Sequence, residues 1–146
     1  MTIRQRSLFL VTVQFGVLFY LALTGPLLAP QPGWLLVELS ALALGVWAIA
    51  VMQFAQLSIL PEVRGAGELV ARGPYRWIRH PMYTSVLLSA LALTAAATTP
   101  ARVVAWLILL VNLVVKLRFE EGLLEAAYAG YSVYKQHTKA LLPWIW

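Results

Sequence analysis

Arg72-Gly73-Pro74-Tyr75-Arg76-Trp77-Ile78-Arg79-His80-Pro81-Met82-Tyr83 is the stretch on which the reading of this chain turns. Three arginines, one histidine and three aromatic rings are gathered around two prolines, with strongly apolar sequence on both sides. Pro74 and Pro81 fix their own φ and push Gly73 and His80 out of the helical region. The backbone is therefore held partly non-helical at a membrane edge, which is tolerated only where protein or water satisfies its polar groups. Such a stretch reads as a site rather than a connector.

The flanking apolar sequence fixes the class. The chain has 146 residues, one domain by length, with 61% hydrophobic and 12% charged residues and a mean hydropathy of +0.77. No soluble domain of that size buries so much apolar surface, so the chain reads as an all-α polytopic membrane protein. Cysteine is absent, which excludes disulfides, thiolate metal sites and a cysteine nucleophile. The formal charge of +5 would suit nucleic acid, but the basic residues flank apolar runs instead of forming a face. They act as orientation signals, and no nucleic-acid partner is expected.

Four spans are predicted, over about 8–28, 34–54, 82–99 and 103–117. The first run exceeds the ~7–15 residues of a signal-peptide core, and no convincing cleavage site follows, so a retained helix is expected. Glu38, one turn inside the second span, is read as reaching the interface. Ala41, Gly45 and Ala48 put small residues on one face for close helix packing. Gln53 and Gln56 either line an entrance to the site or are a polar helix end. Gly65-Ala66-Gly67 lacks the strand and third glycine of a dinucleotide fingerprint and is read as a flexible turn. The last span is short and is expected to run on into the interface. Along it Asn112, Lys116 and Glu120 share a face at i, i+4, i+8, with Asn112 read first as an interhelical hydrogen-bond donor and second as a ligand contact. The tail, rich in tyrosine and tryptophan, is read as an interfacial helix.

With four spans and cytoplasmic termini, ten of the eleven basic residues fall on the cytoplasmic side and only Arg102 outside. That asymmetry fixes the expected orientation. It also brings the loop at 72–83 and the charged end of the fourth span to one membrane face.

Gly-Pro-Tyr-x-x-x-Arg-His-Pro-x-Tyr, from Gly73 to Tyr83, resembles the signature of the isoprenylcysteine carboxyl methyltransferases and their phospholipid methyltransferase relatives. Arg118-x-Glu120-Glu121 with Leu124, Tyr131, Tyr134 and Pro143 is similar to the same family's C-terminal half-motif. The resemblance runs from about Glu68 to the end of the chain. It implies an integral membrane enzyme using S-adenosylmethionine on a lipophilic small-molecule or prenylated acceptor, with an isoprenylcysteine-like carboxylate favoured. It places the cofactor on Glu68, Leu69, Val70, Tyr75, His80, Pro81, Met82, Tyr83 and Glu121, and substrate on Arg118. The chain departs from the pattern at Thr84-Ser85, where a glycine is frequent, and in a tail one residue shorter.

The residue types fit that chemistry. Methyl transfer from a sulfonium is an in-line displacement in which the protein positions donor and acceptor and excludes water. Recognising the cofactor calls for a carboxylate (Glu120 or Glu121), cations (Arg76, Arg79) and flat groups (Tyr75, His80, Tyr83). Adjacent helical residues point about 100° apart, so one pocket is expected to take only one of Glu120 and Glu121. An amine or thiol acceptor would need a base, His80 or Glu120; a carboxylate would not. Two alternatives stay open on sequence: an NADPH-dependent sterol-type membrane reductase, and a non-enzymatic membrane subunit.

Overall fold

Prolines and threonines mark where the helices begin. The structure, a computed structural model, describes residues 2–52 and 69–143, so Gln53, Gln56, Gly65, Gly67 and Glu68 lie outside the described residues. Thr2 opens α1 (Ile3–Leu23) with a reciprocal capping box to Gln5, which starts the helix five residues before the expected apolar run. It ends before Gly25-Pro26, short of the predicted Leu28. Pro32 heads α2 (Pro32–Met52), Pro81 heads α3 (Pro81–Ala96), and Thr99 caps α4 (Pro100–Ala127), which also begins on proline. Proline suits the first helical turn, where its missing N–H has no partner to lose. A short 3₁₀ turn, Gly73–Arg76, and α5 (Tyr131–His137) complete the chain.

Helices α1, α2 and α4 are long and apolar enough to cross a membrane, while α3 has 16 residues. The chain is thus an integral membrane protein whose described residues form helices and no strand, with one isolated bridge between Ile78 and Lys139. The fourth predicted span does run on: α4 has 28 residues, ~42 Å at 1.5 Å per residue. Beyond it the expected continuous helix through Tyr128 breaks, because Tyr128 is extended and Gly130 starts a new turn.

Packing pairs α2 with α3 and α1 with α4, and α3 lies against α4. Ala41 and Ala48 are buried, and a Cβ added at Gly45 would stand 2.5 Å from Ser85 Oγ. The small-residue face is therefore where α3 docks. A core of Leu21, Leu87, Leu109, Leu113 and Leu117 lies within the bundle. Phe9, Phe15, Phe19, Leu36, Val46, Val104 and Val111 are exposed, as expected of helices that face lipid.

Three polar residues fasten the bundle, two of them not as expected. Asn112 Nδ2 donates to Leu10 O at 3.0 Å, the predicted interhelical bond. Glu38 is buried, 3% exposed, and accepts from Ala29 N at 2.9 Å instead of reaching the interface. The loop before α2 carries a buried N–H that this carboxylate satisfies. Arg102 is buried rather than loop-exposed. It donates to Leu21 O at 2.9 Å, Thr24 Oγ1 at 2.7 Å and Leu93 O at 2.6 Å, gathering carbonyls near the C-terminal ends of α1 and α3, where a cation suits the helix dipole.

Candidate functional site

At the opposite end of the bundle from Arg102, the 72–83 stretch meets the charged end of α4 and the tail. Gly73 adopts φ +59°, and a Cβ there would stand 2.7 Å from Val51 Cγ2. Only glycine fits both the left-handed backbone and the close approach to α2. Pro74 opens the 3₁₀ turn that buries Tyr75. His80 sits just before Pro81 with φ −123° and ψ 58°, a non-helical conformation of the kind proline imposes on its predecessor.

The loop's backbone groups are satisfied by the tail. Arg79 N donates to Lys139 O at 2.7 Å, His80 N to Ala140 O at 3.0 Å, and Lys139 N to Trp77 O at 3.0 Å. Thr84 Oγ1 donates to Leu141 O, so this threonine, one of the departures from the resembled pattern, ties α3 to that tail. Arg79 is committed to the same clamp. Its Nε lies 2.7 Å from Glu121 Oε1, and its Nη1 donates to the carbonyls of Lys135 and Thr138. The expectation that Arg79 and Arg76 grip a cofactor carboxylate is corrected accordingly: Arg79 holds protein groups, and Arg76 is exposed with its guanidinium 4.4 Å over the Trp77 ring.

His80 is the centre of the arrangement. It stacks on Tyr83 with ring centroids 5.3 Å apart and planes within 4°. Its Nδ1 lies 3.7 Å from Glu120 Oε2 and its Nε2 3.4 Å from Glu121 Oε1. Both carboxylates therefore meet one ring, contrary to the expectation that only one of them could face the pocket. An imidazole has two nitrogens on different edges, and side chains about 100° apart can embrace it. Tyr83 Oη donates to Glu120 Oε2 at 2.8 Å, and Lys135 Nζ lies 3.2 Å from Glu121 Oε2.

Around this centre stand two buried phenols without a hydrogen-bond partner among the described residues, Tyr75 Oη and Tyr131 Oη, while His80 Nε2 and Glu121 Oε2 are met only by the ion-pair contacts at 3.4 and 3.2 Å. Burial raises the Tyr75 and Tyr131 phenols well above their ordinary value, with Glu120 and Glu121 respectively adding to it. Tyr134, pushed up to about 12 chiefly by burial, stays a donor and bonds Tyr75 O at 2.6 Å. These hydroxyls are neutral donors at any working pH.

Of the residues singled out from sequence, Tyr75, His80, Pro81, Tyr83 and Glu121 come together here, with Met82 half-buried beside them on the first turn of α3. Leu69 and Val70 are half-buried in non-helical backbone, and Glu68 lies outside the described residues. Arg118 is not with them: it is exposed on the strip of α4 that also carries Val111, Val115 and Gly122. Glu121, three residues on from Arg118, pairs with Arg79, His80 and Lys135. Sequence reasoning missed Lys135, whose partner is a helix away. It also missed Gln14, a single amide in an apolar run.

Comparison with curated proteins finds no match, and comparison with solved structures finds none either. The family described as phospholipid methyltransferase matches residues 31–130, which takes in α2, α3, α4 and the His80, Tyr83, Glu120 and Glu121 centre of the site, though not Tyr131, Tyr134 or Lys135. By that match the chain belongs to the phospholipid methyltransferase family of membrane methyltransferases.

Proposed function

We propose that the chain methylates a lipophilic acceptor at the cytoplasmic membrane face, using S-adenosylmethionine, with an isoprenylcysteine-like carboxylate as the favoured acceptor class. Helix α3 is then the fourth crossing, and both termini lie on the side that gathers most of the basic residues. The observation that carries the reading is the pair of unpartnered buried phenols, Tyr75 Oη and Tyr131 Oη, beside the Glu121 carboxylate and a stacked His80–Tyr83 pair. Buried polar groups without partners are costly and fit a polar ligand that completes them.

The donor set suits S-adenosylmethionine. The Glu121 carboxylate, whose Oε2 is held only by the part-exposed Lys135, can take an amine or ribose hydroxyl, phenols are free for the cofactor's polar atoms, and flat rings stand ready for adenine. Glu68, Leu69, Val70, Tyr75, His80, Pro81, Met82, Tyr83 and Glu121 would hold it. When bound it supplies an electrophilic methyl group. The protein's part is positioning and the exclusion of water. Glu121 is fixed by Arg79, and Tyr83 by Glu120, so both reach a ligand already oriented. His80, flanked by two carboxylates, can hold a proton taken from an amine or thiol acceptor; a carboxylate acceptor leaves it a binding group. Arg118, on the exposed strip of α4, would meet an anionic acceptor arriving along the membrane edge.

Thermal unfolding in detergent with S-adenosylhomocysteine and NADPH in parallel tests this. Stabilisation by S-adenosylhomocysteine alone is expected. Stabilisation by NADPH alone would make the chain a reductase, and by neither would remove the cofactor site.

A further inference from the structure

Lys116 is the one group whose burial the bundle does not explain. Its side chain is 2% exposed, inside the apolar length of α4. Lysines near a span end ordinarily extend to the interface, yet this one turns to α1. Its Nζ donates to Gln14 Oε1 at 2.9 Å and lies 5.2 Å from the Tyr83 ring centroid. No carboxylate pairs with it among the described residues, since Glu120, one turn on, takes the Tyr83 hydroxyl. An ammonium has three N–H donors: one is used by Gln14 and one is directed at most to a ring face. The Gln14 amide nitrogen, on another buried side chain, donates to nothing among the described residues. An ammonium and a neutral amide donor thus meet between α1, α3 and α4 with no ion pair among the described residues, Glu120 acting on Lys116 only from one turn away. An intramembrane cation is expensive and commonly marks a site.

What lies beside it is apolar. Val11 and Leu18, three and four residues from Gln14 and so its neighbours along α1, line an open groove of about 750 Å³ with Phe15, Gly16 and Phe19. The groove has the apolar character a lipid chain needs, and it runs along the helix that carries Gln14.

We infer that Lys116 and Gln14 form an anion subsite on the membrane side of Tyr83, taking the carboxylate or phosphate of an anionic lipid whose chain lies along α1. This deepens the proposed methyl transfer and, for the identity of that lipid as acceptor, rests on it. The subsite sets the acceptor's charged head against Tyr83, whose ring stacks on His80. Specificity for an anion is then exercised from within the bilayer.

The test uses the full chain in phosphatidylcholine nanodiscs. Binding is measured for a farnesylthio carboxylic acid and its methyl ester, and for dioleoyl phosphatidate and dioleoylglycerol, with S-adenosylhomocysteine titrated separately. The parent should prefer one acid over its neutral partner by about tenfold or more, the usual scale of a charge-assisted hydrogen bond. The pair that shows the preference identifies the source as prenyl carboxylate or lipid phosphate. Lys116→Met should abolish the preference, Lys116→Arg should keep part of it, and S-adenosylhomocysteine affinity should stay within about threefold. Ligand-free Lys116→Met should also be at least as heat-stable as the parent, since it removes an unpaired buried charge. If it does not fold, Lys116→Gln and Gln14→Leu carry the same comparison. Equal binding of acid and neutral partner by the parent, or a preference that survives both substitutions, overturns the subsite. A Lys116-dependent preference in a protein that binds no S-adenosylhomocysteine keeps the subsite and removes the methyltransferase reading.

Discussion

Replacing Glu121 by glutamine removes one charge and almost no volume from the centre of the clamp. In the parent, Glu121 Oε1 stands 2.7 Å from Arg79 Nε and 3.4 Å from His80 Nε2. The side chains of Arg79 and Glu121 are 9% and 3% exposed, so this is a buried pair. Breaking such a pair by removing one partner costs ~3–5 kcal/mol, because the other charge stays buried. Lys135, a third exposed, adds little. Arg79 keeps the carbonyls of Lys135 and Thr138, and a glutamine oxygen still accepts, which places the cost near the lower end. Thermal unfolding in detergent should therefore fall on the order of 10 °C. The substitution should also weaken S-adenosylhomocysteine about tenfold or more, the worth of one charged hydrogen bond. Arg79→Met breaks the same pair while leaving the carboxylate. It should lose comparable stability but less affinity, so the two variants separate clamp from ligand contact. Glu121→Gln within about 2 °C of the parent, with affinity within twofold, would refute both roles.

Gly73→Ala should cost ~2–5 kcal/mol, adding left-handed strain to displacement of the Val51 side chain; an unchanged melting curve would show that the turn relaxes freely. His80→Ala and Tyr83→Ala should each weaken S-adenosylhomocysteine by ~1–3 kcal/mol, while Tyr83→Phe keeps the stack and loses only the bond to Glu120; calorimetry on folded protein checks the order. Arg118→Ala should lower turnover with an anionic acceptor and leave cofactor affinity within about twofold; equal loss of both would place Arg118 in the cofactor site. Lys135 is raised above its ordinary value of 10.5 by hydrogen bonds to Glu125 and Glu121. Its support for the tail is therefore complete below that value and lost as pH rises through the raised one. Lys135→Met should remove an alkaline fall in stability and leave the curve at neutral pH unchanged in shape.

What could be read from the sequence follows which interactions are local. The face of Ala41, Gly45 and Ala48 was legible because close packing needs small residues at that period, whereas the apolar runs set each helix start one to five residues late, because the leading residues Ile3, Pro32, Pro81 and Pro100 lie outside those runs. The loop at 72–83 declared itself through two prolines and its cluster of basic and aromatic residues, while the left-handed Gly73 emerged only with the structure. Fates of individual charges were not legible. Arg79, Arg102, Glu38 and Lys116 all look like interface residues in a hydropathy profile, yet each bonds a group on another element. Pairing across the bundle joins positions 42 to 102 residues apart in three of these cases, and periodicity carries no information at that range. Arg118 fails in the opposite sense: the motif set it beside Glu121, but the turn of α4 sends it outward.

The polar groups are distributed in a way that explains how so apolar a bundle can hold a charged site. At the far end, Arg102 spends its charge on carbonyls of α1 and α3, where no ligand is needed to complete it. At the near end, Arg79 and Glu121 complete each other and lock the tail under the loop. Between them Asn112, Lys116 and Glu120 follow one stripe of α4 from the hydrocarbon to the interface. Asn112 is satisfied by Leu10, Glu120 is shared between Tyr83 and His80, and Lys116, which Glu120 attracts only from one turn away, makes no ion pair among the described residues. A fold that buries that ammonium with one side-chain acceptor and no ion pair has left much of the cost of one ion open. The site is thereby divided by depth. Groups at the interface suit a water-soluble cofactor, and the lysine a turn deeper suits a partner that comes from the bilayer.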